Sequence, residues 1–101
     1  MGWYISHGGT RHGYSYSGVA ELRDKLQKAA PAEWSALAAV LKRPSGDPFE
    51  LDPVEAERVG HALHRAADRL HVWDRNWTRM ARQIADSALL AARLGEPWMW
   101  S

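Results

Sequence analysis

Apolar residues recur at alternating steps of four and three through the second half of the chain, between Asp52 and Gly95. This spacing places their side chains on one stripe of an α-helix. Apart from Gly60, no glycine or proline interrupts the pattern, which predicts helix from residue 53 to residue 94. The stripe consists of Val59, Leu63, Ala66, Leu70, Trp73, Trp77, Met80, Ile84, Ser87, Ala91 and Leu94.

Both ends of this helical segment carry local signals. Asp52 can accept hydrogen bonds from the free N–H groups of the first turn, and Pro53 at the first helical position loses nothing by lacking an N–H. Glu55 can reach back to the cap. At the other end, Gly95 suits the left-handed conformation that closes many helices, and Pro97 prevents continuation.

A single helix over 53–94 would be about 60 Å long at about 1.5 Å per residue, which is too long for a compact domain of this size. Val72 and Trp73 are weaker helix formers, and Asp74 can cap a new helix. We therefore favour an αα-hairpin of helices 53–71 and 75–94 whose apolar stripes face each other. One long helix with a coiled-coil seam is the alternative.

The first half of the chain predicts a small β element followed by two helices. Residues 3–6 and 14–17 read as short strands that form an N-terminal β-hairpin around the polar loop 7–13. Ser17 can cap the first helix, and Pro31 ends it and opens the second. Two strands alone are marginal, so residues 49–51 can add a third, or the sheet edge can pair with a second copy.

We therefore predict an α-rich α+β fold with four helices and a short N-terminal β-hairpin. After the last helix, the aromatic tail can pack over the helices or the first strand, or it can dock into a partner through Trp98 and Trp100. We expect a single domain over 1–101, made of a β element and loop (1–17), two helices (18–42), a turn segment (43–52), the helical hairpin (53–94) and the tail (95–101).

Composition narrows the function classes without choosing one. The 101 residues are 46% hydrophobic and 25% charged, as in ordinary globular proteins, and the net charge is +1. The absence of cysteine excludes disulfides, thiolate zinc sites and cysteine nucleophiles. We see neither a signal peptide nor a run of about 20 apolar residues that could span a membrane. We therefore expect a cytoplasmic protein without a membrane partner.

Three short segments carry a resemblance to a known kind of protein. They are the opening Gly-Trp-x-Ile-Ser-His-Gly at 2–8, the Pro-Phe…Asp-Pro…Glu-Ala segment at 48–56, and the closing Pro-Trp-Met-Trp at 97–100. With them, the chain resembles small uncharacterised proteins of filamentous actinobacteria and their phages. The resemblance implies a small intracellular bacterial protein and gives no residue a role.

A histidine stripe on the third predicted helix is the first candidate site. Imidazoles and carboxylates one helical turn apart can share a divalent metal ion, and nitrogen and oxygen ligands suit zinc, nickel or iron. The alternative is a solvated face with weak ion pairs, each worth about 0.2–0.5 kcal/mol. One helix supplies only two or three ligands, so a metal site needs another element. The candidate ligands are His61, His64, Asp68 and His71.

An arginine face is the second candidate. Arg75, Arg79 and Arg82 lie on the side of the fourth predicted helix away from its apolar stripe, and Arg11 in the glycine-rich loop 7–13 could assist anion binding. This loop matches neither a Walker loop nor the dinucleotide fingerprint. Phosphate, nucleic acid and an acidic protein partner are all compatible with the arginines. The near-neutral charge does not favour nucleic acid.

No constellation of residues demands catalysis, so we lean against an enzyme and predict no cofactor. The pattern favours a non-catalytic, tryptophan-rich interaction or regulatory module that binds a protein partner or forms a homodimer. A divalent-metal-binding protein and a nucleic-acid-binding regulator are the alternatives.

Overall fold

The computed structural model describes residues 2–7, 10–43, 46–70 and 74–101. Its elements, in chain order, are β1 (Gly2–His7), β2 (Thr10–Ser15), α1 (Tyr16–Ala29), a 3-10 turn (Pro31–Glu33), α2 (Trp34–Leu41), β3 (Phe49–Leu51), α3 (Pro53–Ala67), α4 (Arg75–Leu94) and β4 (Trp98–Trp100). The predicted fold class, a helix-rich α+β fold with four helices and an N-terminal antiparallel strand pair, is confirmed.

The predicted helical hairpin is present, and its ends follow the local signals. An oxygen of Asp52 accepts a hydrogen bond from the Glu55 N–H at 2.8 Å, and Gly95 closes α4 with a φ of 69°. The first helix of the hairpin, α3, ends at Ala67, four residues before the predicted end at residue 71. Residues 71–73, where we predicted the break, lie outside the described residues.

Asp74 stands at the cap position of α4, but its side chain makes no capping hydrogen bond. Its carboxylate instead accepts a hydrogen bond from the Lys25 ammonium of α1 at 3.4 Å. The expected role of this side chain as a helix cap is therefore wrong, because the tertiary fold brings a cation within its reach.

A single antiparallel sheet unites both ends of the chain, with the strand order β2-β1-β4-β3. Strand β4 lies between β1 and β3, and the backbone of Tyr4 exchanges two hydrogen bonds of 2.9 Å with Ser101. The C-terminal tail thus packs against the first strand, as one of our alternatives proposed, but it does so as a strand of the sheet.

The N-terminal hairpin is longer than predicted, and its pairing runs from Gly2 opposite Ser15 to His7 opposite Thr10. Most of the predicted loop 7–13 is therefore strand, and Gly8 and Gly9 lie outside the described residues. The cap of α1 also moves: the Ser15 hydroxyl accepts a hydrogen bond from the Gly18 N–H at 3.0 Å. Our assignment of this cap to Ser17 is wrong, because the helix begins earlier, at Tyr16.

The core lies between the inner face of the sheet and the helices, and aromatic rings fill much of it. Trp3 contacts Tyr16, Phe49 and Trp100 edge-on at centroid distances of 5.5–5.6 Å, and Phe49 stacks on Trp100 at 5.4 Å. Much of the predicted stripe enters the core: Val59, Leu63, Ala66, Ile84, Ser87 and Ala91 are buried, and Leu70, Trp77 and Met80 pack against them partly buried. Leu94 is exposed, and Trp73 lies outside the described residues. A well-packed aromatic core holds the sheet and the hairpin in one orientation.

Candidate functional site

The two helices of the hairpin run antiparallel, and polar residues one turn apart on α3 meet partners on α4. An imidazole nitrogen of His64 lies 2.7 Å from an oxygen of Asp86. One turn further along, the Arg82 guanidinium donates to an oxygen of Asp68 at 2.6 Å. Asp86 follows Arg82 by four residues, just as Asp68 follows His64, so these contacts continue one antiparallel register.

These pairs occupy two of the four residues that we predicted as metal ligands. Nε2 of His61 lies 3.7 Å from Oε1 of Glu57 on the same helix. His71 lies outside the described residues. Within the part of the chain that the structure describes, no three His, Asp or Glu side chains are grouped to hold a metal ion. The metal site therefore stays a prediction, and it requires the two interhelical pairs to open.

An open groove lies where α3 ends and α4 begins, and its volume is about 670 Å³. All three predicted arginines of the helix-four face line it, together with Asp68 and Asp86. Apolar atoms of Ala67 and Leu70 and the polar side chains of Thr78 and Gln83 complete the lining. The structure thus brings together Arg75, Arg79 and Arg82, as the helical spacing predicted.

Some of the charged side chains in the groove have partners and others do not. Asp68 is paired with Arg82, and Asp86 is paired with His64. Arg75 and Arg79 are exposed, and neither forms an ion pair with any of the described residues. Two guanidinium groups one turn apart are thus available at the surface, beside carboxylates that already have partners.

Arg65 differs from Arg75 and Arg79 because its guanidinium has a carboxylate partner within the chain. It donates two hydrogen bonds to Glu33, at 3.0 and 2.9 Å, and so links α3 to the 3-10 turn. The hydrogen bond from Arg65 lowers the pKa of the Glu33 carboxyl below its ordinary value. Bidentate pairing of this kind is the mode in which arginine recognises carboxylates.

Arg11, the fourth arginine of the predicted anion site, does not line the groove. It lies on β2, where its guanidinium carbon stands 3.9 Å from the centre of the Tyr4 ring. Arg11 therefore does not share this groove with the helix-four arginines, and its contact with an anion stays a prediction. The residues of the expected loop form a strand, which pairs Arg11 with Ser6 and places its guanidinium over the diagonally adjacent Tyr4.

Trp98 and Trp100, the predicted partner surface, are 0% and 1% exposed. The Trp98 indole donates a hydrogen bond to the hydroxyl of Ser87, which is also buried, at 3.1 Å. The prediction of a partner surface at these two tryptophans is thus corrected. In strand β4 the side chains alternate between the faces of the sheet, so both tryptophans enter the core and Met99 faces outward.

Sequence reasoning missed the partners that complete this region. The pairing of His64 with Asp86 and of Asp68 with Arg82 depends on the register between two helices, and no single-helix periodicity reveals it. The sequence did contain one signal for these pairs. His64 and Asp68 are four residues apart, as are Arg82 and Asp86, and an antiparallel hairpin would bring the two sets together. Lys25 of α1, which approaches the start of α4, has no such signal.

The fold and the groove define a small, helix-rich α+β domain with an arginine-lined groove at one end of a helical hairpin. The chain belongs to the family described as a domain of unknown function, DUF7739, whose model matches residues 8–101. No curated protein and no solved structure matches the chain significantly. Among the described helices, none combines the length and apolar character that crossing a membrane would require.

Proposed function

We propose that this protein is a non-catalytic binding module whose groove at the α3–α4 junction binds an acidic segment of a protein partner. The observation that carries the proposal is the pair of exposed arginines, Arg75 and Arg79, which have no ion-pair partner among the described residues. Guanidinium groups form strong, directional hydrogen bonds with carboxylates, so an acidic side chain is the natural ligand for each.

The rest of the groove favours a protein segment over a nucleic acid. Asp68 and Asp86 line the same groove, so its positive charge sits on separate guanidinium groups rather than on the continuous positive strip that a phosphate backbone follows. The whole chain carries a net charge of only +1, whereas nucleic-acid-binding domains concentrate positive charge on one face. Leu70 and Ala67 offer apolar contact between the arginines and the end of α3, which suits a peptide with alternating apolar and acidic residues.

A metal-binding function has less support from the contacts. His64 and Asp68 are engaged by residues of α4, and both would have to leave charged partners to bind an ion. Neutral partners would be easier to displace than the Asp86 carboxylate and the Arg82 guanidinium.

The cellular setting belongs to the same proposal. The cysteine-free composition suits a reducing compartment, which supports a cytoplasmic location. The resemblance of the two chain ends and the 48–56 segment to small actinobacterial and actinophage proteins supports a bacterial or phage origin. A regulatory role through protein contacts fits a domain of this size.

The test uses a labelled helical peptide with glutamates one turn apart and leucines between them, and follows its binding by fluorescence anisotropy. We expect the wild-type protein to bind it, and the Arg75→Glu/Arg79→Glu variant to bind at least about tenfold more weakly, since a charge-assisted hydrogen bond contributes about 1.5–3 kcal/mol. A peptide with glutamine in place of glutamate should not bind.

The matched control is Arg58→Glu/Arg93→Glu, which makes the same charge change at exposed arginines outside the groove. Equal losses in both double variants would show a general charge effect and refute the groove as the site. Binding of a duplex or single-stranded oligonucleotide in preference to the peptide, with affinity that falls steeply as salt rises, would assign the arginines to nucleic acid instead.

A further inference from the structure

The groove at the α3–α4 junction continues along the surface of the hairpin. A second open hollow, of about 430 Å³, shares Asp86 with the groove and is lined further by His61, Leu89, Leu90 and Arg93. A third hollow, of about 280 Å³, shares His61, Leu89 and Arg93 with the second. Because each hollow shares residues with the next, the three form one interhelical channel that follows α3 and α4.

The α4 residues of this channel recur at steps of four and three, on the side of the helix away from the buried Ile84. They are Arg75, Arg79, Arg82, Asp86, Leu89 and Arg93. This spacing is the one by which a helix presents a continuous line of side chains to a second helix packed along it. From the first of these residues to the last, the line is about 27 Å long at about 1.5 Å per residue.

The charged side chains in the middle of the channel have partners, and those at its ends do not. Arg82 is paired with Asp68, and His64 with Asp86. At one end, Arg75 and Arg79 form no ion pair with any described residue, as noted above. At the other end, Arg93 is also exposed, and it too forms no ion pair within the described part of the chain. Unpaired cations therefore stand at both ends of the channel.

Apolar surface lies beside the far cation. Leu89 and Leu90 line the second hollow, and both are only partly buried. Leu89 precedes Arg93 by one helical turn, so a ligand that reaches this arginine also covers the two leucines. Removing their exposed carbons from water favours a ligand with an apolar residue at this level.

We infer that the acidic segment bound at the groove belongs to an amphipathic helix of about five turns, which lies along the whole channel as a third helix beside α3 and α4. Its carboxylates at one end accept hydrogen bonds from Arg75 and Arg79. An apolar turn then covers Leu89 and Leu90, and a further carboxylate pairs with Arg93. This inference rests on the proposed function, because the groove is the first part of the channel.

The channel favours a helical ligand over an extended one. Its walls are the sides of two α-helices, whose interior backbone N–H and C=O groups are already bonded within each helix. An extended segment would find no regular backbone partners there, whereas a helix satisfies its own backbone groups. Cations at both ends and leucines beside one of them match a helix that carries acidic, apolar and acidic residues on one stripe.

The test compares labelled peptides of two lengths by fluorescence anisotropy, each held helical by a side-chain cross-link. The short peptide has two turns, with glutamates one turn apart beside a leucine, and it covers only the groove. The long peptide has about five turns and adds the leucine turn and the far glutamate on the same stripe; it is made in both chain directions. A scrambled peptide keeps its composition but spreads these residues around the helix.

We expect the better of the two long peptides to bind the wild-type protein at least about tenfold more tightly than the short and scrambled peptides, because it adds a charge-assisted contact and apolar burial. Arg93→Glu should remove this gain and leave the affinity for the short peptide unchanged. The matched control is Arg58→Glu, at an exposed arginine that lines none of the three hollows, and it should change neither affinity.

Equal affinities for the long, short and scrambled peptides would overturn this inference and leave the groove as a site. Equal effects of Arg93→Glu and Arg58→Glu on the long peptide would overturn it as well. A folded protein that binds none of the peptides would refute the proposed function together with this inference. Binding of the long peptide alone, lost in Arg93→Glu, would support the channel and show that the groove by itself is too small a site. Circular dichroism confirms that each variant is folded.

Discussion

The helical hairpin depends on close contact between α3 and α4 at Gly60, which is buried. A methyl group built on this glycine would lie 2.7 and 2.8 Å from Leu89 side-chain carbons and 3.1 Å from the carbonyl oxygen of Ala85. The first two distances are shorter than carbon atoms accept, so Leu89 must move if residue 60 gains a side chain. The contact fixes the spacing of the two helices that carry the groove.

Two effects of Gly60→Ala oppose each other. Alanine is about 0.8–1.0 kcal/mol more favourable than glycine inside a helix. Forcing an extra methyl into a packed core costs about 1–3 kcal/mol. The side chain of Leu89 is only partly buried, but it loses packing contacts when it turns aside, and the backbone oxygen of Ala85 at 3.1 Å leaves the new methyl group little other room. We therefore expect a net destabilisation of about 1 kcal/mol, which corresponds to a melting temperature lower by about 4–8 °C.

The assay is urea unfolding followed by far-ultraviolet circular dichroism, carried out in two backgrounds. In the Leu89→Ala background the obstructing carbons are gone, and the remaining contact with Ala85 is tight but tolerable. There, Gly60→Ala should raise the free energy of unfolding by a few tenths to about 1 kcal/mol, because the helix preference of alanine is no longer opposed. The same substitution should thus change sign between the two backgrounds.

The reasoning would be refuted if Gly60→Ala stabilised the protein equally with Leu89 and with alanine at position 89. That result would mean that the helices are free to separate at this contact and that packing does not fix their spacing. An equal destabilisation in both backgrounds would instead place the obstruction at the Ala85 carbonyl.

Two further predictions concern the core and the response to pH. Ser87→Ala should lower the free energy of unfolding by about 1–3 kcal/mol in urea titrations, because it leaves the buried Trp98 indole N–H without an acceptor; a variant as stable as the wild type would show that this hydrogen bond contributes nothing. The pKa of Glu33 is lowered by the hydrogen bond from Arg65, so the Glu33 carboxylate stabilises the folded state at neutral pH. This stabilisation is lost as the pH falls below the ordinary value of 4.5 and through the lowered pKa. Wild type and Glu33→Gln should therefore differ in stability at pH 7 and converge in acid, and a difference that grows in acid would contradict the assignment.

The sequence was informative wherever the deciding contacts are local. The Asp52 cap needs only the backbone three residues ahead, and Gly95 needs only its own freedom to adopt a positive φ. Helical periodicity likewise placed Val59, Leu63 and Ile84 in the core, and all three are buried. The same spacing put three arginines on one face of α4, which is where the groove has them.

Local signals failed where a distant partner competes. Asp74 looks like a cap, but Lys25 lies close enough to take its carboxylate. As serines, Ser15 and Ser17 are equally suited to cap a helix. Ser15 is the cap because β2 pairs with β1 up to that residue and the helix begins directly after it. Residues 98–100 are too few to be predicted as a strand from the sequence. They form one because the backbone N–H and C=O groups of β1 and β3 are available for hydrogen bonds on either side.

By itself, then, the sequence determined the helix-rich class, the hairpin and the faces of its helices, since these follow from caps, periodicity and residue preference within a few turns. Only the tertiary structure decided that the terminal tryptophans belong to the core and that β2 lies at the edge of the sheet. It also decided that Asp68 and Asp86 have partners on the facing helix, while Arg75 and Arg79 have no ion-pair partner among the described residues. Burial, ion pairing and strand order depend on which distant segments come into contact. Those contacts are determined by the free energy of packing the whole chain, which no local stretch of sequence contains.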